Sequence, residues 1–172
     1  AKAVIFLIVY GISGFGLGEN LHISRKEANE FIEKYYELYP GVKAYMNNII
    51  KDAYQTGEVK TMFGRIRKIT ELKDSNYRVR AMGERMALNT PIQGSSADIM
   101  KMAMIEIYNK MKANNLESKM ILQVHDELII DVKEKELEKL KVILREAMEN
   151  IVTLKVPLKI EINTGKNWFE AK

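Results

Sequence analysis

The chain has 172 residues, 47% of them hydrophobic, with 27 basic against 23 acidic side chains, no cysteine, ten glycines and three prolines. That length suffices for a domain that buries roughly 70% of its extended surface, and the composition excludes disorder, collagen-like repeats, a disulfide scaffold and a thiolate zinc site. The net charge of +4 is unevenly placed, because Lys60 to Arg85 holds eight bases against three acids, a window of +5, while the rest of the chain sums to −1.

The sequence opens on Ala1 rather than methionine and runs at once into apolar Ala3 to Tyr10, the pattern of an excised segment. Those eight residues fall far short of the roughly 20 that cross a bilayer, and no clean small-residue cleavage site follows them. No membrane role is expected, and a cytoplasmic location fits a chain without cysteine. Ser24 with Glu27 forms a capping box, and Ala28, Phe31, Ile32, Tyr35 and Tyr39 then recur at helical spacing until Pro40 and Gly41 break the pattern. A second helix is expected from Val42 to about Gln55, ended by Gly57. Val59 to Phe63 and Ile66 to Ile69 suggest a short hairpin around Gly64 and Arg65. Ser75 to about Leu88 reads as helix, and Pro91 and Gly94 interrupt it.

Ser95 to Asn114 is apolar on nearly every side, which predicts a buried helix. Met120 to Val124 and Leu128 to Val132 are β-rich and separated only by His125, Asp126 and Glu127, a hairpin with a charged tip. Leu137 to Ile151 carries an amphipathic helical stripe, and Leu158 to Ile162 suggests a final strand. With no repeat and no linker, the expectation is an α+β fold in which helices pack on a small antiparallel sheet. Residues 1–90 are expected to form a helical region with a basic hairpin and 91–172 a region built on the acidic hairpin, the two making one compact unit.

Two features carry chemistry. The adjacent carboxylates of Asp126 and Glu127 suit a divalent metal or general acid/base site, although acidic residues are also common at solvated turns. His125 suits a phosphate contact, a general base or a turn cap. A serine-hydrolase arrangement of Ser95 or Ser96 with His125 and Asp126 lacks the nucleophile-elbow pattern. The basic window suits phosphate contacts, with Tyr77 available for stacking, or a solvated helix face with ion pairs such as Arg80 with Glu84.

QVHDE at Gln123 to Glu127 resembles the third palm motif of family A DNA polymerases, the bacterial DNA polymerase I type. ERMALNTPIQGSSADIMK from Glu84 resembles the segment just before that family's palm, TMFGRIRK from Thr61 its basic turn, VPLKIEINTGKNWFEAK its C-terminal end, and AKAVIFLIVYGIS its main fingers helix. The resemblance covers essentially all 172 residues, in the family's order. It implies fingers helices joined to the C-terminal half of a palm, and nucleotidyl transfer from deoxynucleoside triphosphates to a primer on template DNA, with two Mg²⁺ ions. Carried over by position, Lys2 contacts the triphosphate, Phe6 lies against the sugar and Tyr10 stacks near the template base. The i, i+4, i+8 spacing places these three on one helix face. Arg65, Arg67, Arg85, Asn89 and Gln93 match DNA-contacting positions, and His125 one near the primer-terminal phosphate. Asp126 matches one of two metal-binding aspartates, with Glu127 its acidic neighbour.

Departures from the family pattern sharpen the expectation. A run resembling DYSQIELR, which supplies the other catalytic aspartate, occurs nowhere in the chain, so the chain alone is expected to be inactive and to need an N-terminal polymerase portion as partner. Ile5 and Leu7 stand where asparagine and glycine are usual, and a bulky Leu7 is expected to crowd the site. Val4, Ile5, Ile8 and Val9 are β-branched, so strand competes with helix at the start, as an edge strand or a self-associating face. The alternatives to a polymerase portion are a non-catalytic nucleic-acid-binding module and a self-associating structural fragment.

Overall fold

Helical segments and two separate antiparallel hairpins make up the computed structural model, which describes residues 2–171 and the side chains of 4–171, an α+β architecture as expected. The chain divides into two compact units, residues 1–95 and 96–172.

In the first unit, α1 (Lys2–Val9) is helical in spite of its β-branched residues, so the strand expectation fails there. Ile8 is fully buried with Leu17 of α2 (Gly14–Leu21) and Ala28 of α3 (Arg25–Leu38), and Val4 and Leu7 pack on the same cluster. Burying such a face outweighs propensity differences that stay below about 1 kcal/mol per residue. Leu7 therefore belongs to the core of this unit. Helix α1 stops in a Schellman turn: Ile12 N–H donates to the Leu7 carbonyl and Gly11 N–H to that of Ile8, each at 2.9 Å, with Gly11 at φ +77°.

Helix α2 has no counterpart in the periodicity reading, because three of its first five residues are glycine. Packing explains them. A methyl group on Gly14 would run into the Asn29 amide, and one on Gly18 would sit 3.0 Å from the Ile23 carbonyl oxygen. Helix α3 begins at the expected capping box, where Ser24 N–H donates to the Glu27 carboxylate at 2.9 Å. The Ser24 hydroxyl, which donates to the same carboxylate at 2.7 Å, and then the Ser24 N–H hold the Glu27 carboxyl below its ordinary value. Pro40 starts α4 (Pro40–Thr56) rather than merely ending α3, since a first helical position needs no N–H donor. Gly57, at φ +73°, closes α4.

Strands β1 (Glu58–Lys60) and β2 (Ile66–Lys68) pair antiparallel with Val59 opposite Arg67. Val59, Ile69, Leu72, Ala53 of α4 and Ala87 of α5 (Tyr77–Asn89) form one core cluster. Helix α5 approaches the 3₁₀ turn Thr70–Lys73 at Gly83, where an added Cβ would stand 3.1 Å from the Leu72 nitrogen. Pro91 and Gly94 do not interrupt the helical backbone as expected. Thr90–Gly94 is a π turn with Thr90 and Ser95 both in the right-handed helical region.

In the second unit, α6 (Ser95–Ala113) corrects the expectation of a helix buried all round. Ala103, Ile107 and Met111 are buried, whereas Ile105 is 62% exposed and Tyr108 is exposed. Its core is one-sided: Ile107 and Met111 meet Leu140 and Ala147 of α7 (Leu137–Glu149), with Leu128 and Ile130 from the hairpin of β3 (Lys119–Val124) and β4 (Glu127–Asp131). The strand expected at 158–162 does not form. Half-buried Leu158, Ile160 and Ile162 alternate with exposed Lys159 and Glu161, but the Ile160 N–H donates to the Glu149 carboxylate at 3.2 Å instead of to a neighbouring strand.

Leu140→Ala is expected to lower unfolding stability by about 2–5 kcal/mol through the cavity it opens, and Val142→Ala, at an exposed position of the same helix, by less than about 0.5 kcal/mol. Chemical denaturation of the two variants checks the contrast, and equal losses would contradict this core assignment.

Candidate functional site

The first unit gathers residues far apart in sequence around two turns. At the end of α1, Phe6 and Tyr10 stack with ring centroids 6.2 Å apart and planes 18° apart, and Phe6 is 48% exposed. The expected contact of Lys2 lies outside the described side chains. Gly11, just after Tyr10, abuts α5: a Cβ there would stand 2.8 Å from Leu88 Cδ1 and 3.9 Å from Arg85 Cγ. The closeness of this turn to α5 thus brings the Phe6–Tyr10 pair and Arg85 into one neighbourhood.

Along α5, Arg85 and Asn89 are four residues apart and face the same way, and Gln93 follows, exposed, on the π turn. Among the described residues Asn89 Oδ1 is buried without a hydrogen-bond partner. The π turn itself is held by hydroxyls. Thr90 Oγ1 donates to the Met86 carbonyl at 2.7 Å, and Ser95 Oγ donates to the Pro91 carbonyl.

The same turn fixes the basic loop between β1 and β2. Met62 N–H donates to Ser95 Oγ at 2.8 Å, Arg65 Nη2 to the Gly94 carbonyl at 3.0 Å, and Arg67 Nη1 to Thr90 Oγ1 at 3.4 Å. Within the loop, Arg65 N–H donates to Thr61 Oγ1 at 3.1 Å and Gly64 takes φ +81°. Gly94 is required by closeness, since a methyl there would approach Thr61 Cγ2 to 2.7 Å. Arg65, Arg67 and Gln93 are thereby gathered around one turn, and three cations, with Arg85, lie on the elements that meet there. Ser95, considered in the sequence only as a nucleophile, is a structural strut. No sequence signal marks Thr61, Thr90 and Ser95 as a set: Thr61 accepts the Arg65 N–H within its own loop, Thr90 and Ser95 bond back along their own helical run, and only folding brings Arg67 to Thr90 and Met62 to Ser95.

In the second unit the acidic tip is tighter than expected. Val124 pairs directly with Glu127, so the turn proper is His125–Asp126 and Glu127 begins β4. His125 takes φ +51° and its carbonyl accepts the Gln123 side-chain amide at 2.6 Å. His125, Asp126 and Glu127 are all exposed. Among the described residues no group of three His, Cys, Asp or Glu side chains converges on a metal position. Their oxygen donors nevertheless suit Mg²⁺, which binds through one or two carboxylates and completes its shell with water and phosphate oxygens.

The hairpin is irregular between Met120 and Leu122, where the register shifts. Its base is tied by Glu136. That carboxylate is buried and accepts the Glu117 and Ser118 backbone N–H groups at 3.1 and 3.0 Å and the Ser118 hydroxyl at 2.6 Å, while Ser118 Oγ accepts Lys133 N–H at 3.1 Å. The Ser118 hydroxyl above all, then the backbone donors, hold the Glu136 carboxyl below its ordinary range. Sequence reading missed this clasp, since one glutamate among Glu134, Glu136 and Glu138 carries no distinguishing pattern.

A model of the family described as DNA polymerase family A matches residues 1–170. DNA polymerase I of Caldicellulosiruptor bescii is 55% identical over 172 residues, all of this chain and 20% of the relative. DNA polymerase I of Bacillus caldotenax is 52% identical over the same span, again 20% of its length. Among solved structures, the POL domain of Pol1 from M. smegmatis in complex with DNA primer-template and dNTP matches with a TM-score of 0.95 and 42% identity, over 99% of this chain and 30% of that one. The chain thus spans about a fifth of the length of the relatives it matches.

The Glu136 clasp predicts a pH signature. A depressed carboxyl stabilises the fold above its ordinary value of 4.5, and that contribution is lost as pH falls through the lower folded value. Glu136→Gln should therefore be less stable than the parent at pH 7, with the gap closing in acid as the parent's own carboxyl is protonated. Thermal unfolding of both proteins from pH 7 to pH 3 checks this, and a gap that stays constant would refute it.

Proposed function

Because the chain belongs to DNA polymerase family A, we propose that it supplies part of a template-directed nucleotidyl-transfer site acting on primer–template DNA and deoxynucleoside triphosphates. The observation that carries this reading is the set of cations and amides around the π turn: Arg85 and Asn89 on α5, exposed Gln93, and the tethered Arg65 and Arg67. Guanidinium groups bind phosphates irrespective of sequence, and an amide on Gln93 can donate to minor-groove acceptors that every base pair offers. The likeness to a polymerase solved with primer-template and dNTP supports the same substrates.

In this reading Lys2 contacts the triphosphate of the incoming nucleotide, Phe6 lies against its sugar and Tyr10 stacks near the templating base. His125 approaches the primer-terminal phosphate. Asp126, with Glu127 beside it, would hold Mg²⁺, and the primer 3′ hydroxyl attacks the α-phosphate in line as pyrophosphate leaves. Bound Mg²⁺ would supply charge stabilisation of the attacking and leaving oxygens. In this reading Asp126 is one aspartate of the required pair, and no DYSQIELR-like run occurs in the 172 residues. We therefore expect this chain alone not to extend a primer, and a segment bearing that run, added in trans, to complete the site.

Two measurements test the proposal. Fluorescence anisotropy on labelled primer–template should give a log affinity that falls linearly with log salt, and Arg85→Gln should flatten the slope by about 0.9, one phosphate contact. A flat line for the parent chain would reject DNA binding through this surface. In primer extension with Mg²⁺ the chain alone should be silent, and activity restored in trans should disappear with Asp126→Asn. Robust extension by the isolated chain would overturn the inactivity proposal.

A further inference from the structure

We propose that Tyr77 is a stacking platform for an unpaired nucleobase, with Arg78 gripping an adjacent phosphate of the same single strand. This rests on the nucleic-acid reading above and assigns it a second contact zone, at the opposite end of α5 from Asn89.

Tyr77 is 74% exposed, the most exposed of the chain's tyrosines, and it belongs to none of the core clusters. Its ring is nonetheless held. The half-buried Arg80 guanidinium lies over it, 6.0 Å from the ring centroid, and Arg80 Nη1 is itself fixed by the carbonyls of Asp74 at 2.9 Å and Ser75 at 2.7 Å. A cation over one face leaves the other open and limits the ring's freedom, so little conformational entropy remains to be lost when a base stacks on it.

The surrounding charge selects the ligand. Lys73, Arg78 and Arg80 stand against Asp74 alone between residues 73 and 80, and the Asp74 carboxylate already accepts the Asn76 N–H at 2.7 Å. Arg78 is exposed, and among the described residues no carboxylate pairs with it. An exposed ring beside unpaired cations fits a base and its phosphate, and such stacking tolerates any base because each has a π face. The strand must be single, since bases within a duplex have their faces occupied by their neighbours. In a primer–template substrate that means the unpaired template overhang.

The test compares anisotropy binding of the 172-residue chain to a duplex carrying a 5′ overhang and to a blunt duplex of equal paired length. Tyr77→Ala is expected to weaken overhang binding about tenfold and leave blunt-duplex binding unchanged. Tyr77→Phe should bind as the parent does, and Tyr77→Leu, which keeps apolar bulk without a π face, as Tyr77→Ala does. Arg78→Gln should flatten the salt slope on the overhang substrate by about 0.7. If the parent binds both substrates and Tyr77→Ala alters neither or weakens both equally, the stacking inference fails while the duplex reading stands. If the parent binds neither, the duplex reading fails and this inference with it.

Discussion

Pro91 sets the constraint on which the first unit's functional surface depends. A proline inside a helical run has no N–H to give and crowds the carbonyl one turn back, so the ladder cannot pass through it unchanged. The backbone widens into the π turn Thr90–Gly94, a form found disproportionately at functional sites. Polar side chains add bonds to the turn's carbonyls, Thr90 Oγ1 to that of Met86, which also accepts the Thr90 N–H, and Ser95 Oγ to that of Pro91. Ser95 Oγ also accepts the Met62 N–H, and the Gly94 carbonyl accepts Arg65. The tethered basic loop and the exposed Gln93 thus meet at the turn that holds Pro91.

Close approach is the second ingredient. Gly11 and Gly94 stand where a methyl group would meet the Leu88 or Thr61 side chain inside 3 Å, so the end of α1 packs closely on α5 and the basic loop on the π turn. Gly11 adds a positive φ that other residues adopt rarely. The substrate-facing candidates of this unit are held mostly by backbone and by short hydroxyl side chains. Such a scaffold holds Arg65 at the Gly94 carbonyl and Arg67 at the Thr90 hydroxyl.

The second unit solves a different problem, holding two neighbouring carboxylates outward. Apolar contacts from Leu128 and Ile130 seat the hairpin on α6 and α7, and the Glu136 clasp closes its base. A buried carboxylate is tolerable there because it accepts three separate donor groups, which offset its desolvation. The irregularity between Met120 and Leu122 lies between clasp and tip, and a bulge at such a place changes the twist of the strand that carries the acidic turn.

The sequence by itself determined the family, the order of the helices from α3 onward, both hairpins and the acidic tip. These rest on local signals: the Ser24–Glu27 box, the stripes of α3, α4 and α7, glycine stops, and motif strings long enough to be specific. Tertiary structure decided what those signals leave open. Helix α1 won over strand because Ile8 and Leu7 found a core, α2 formed around glycines that packing demands, and α6 buried one face out of several apolar ones. Ile160 spent its N–H on Glu149 and no third strand formed. The struts Ser95 and Glu136 were invisible because each accepts a backbone N–H that only the folded path brings near, and a one-dimensional pattern carries no record of which backbone groups folding leaves unpaired.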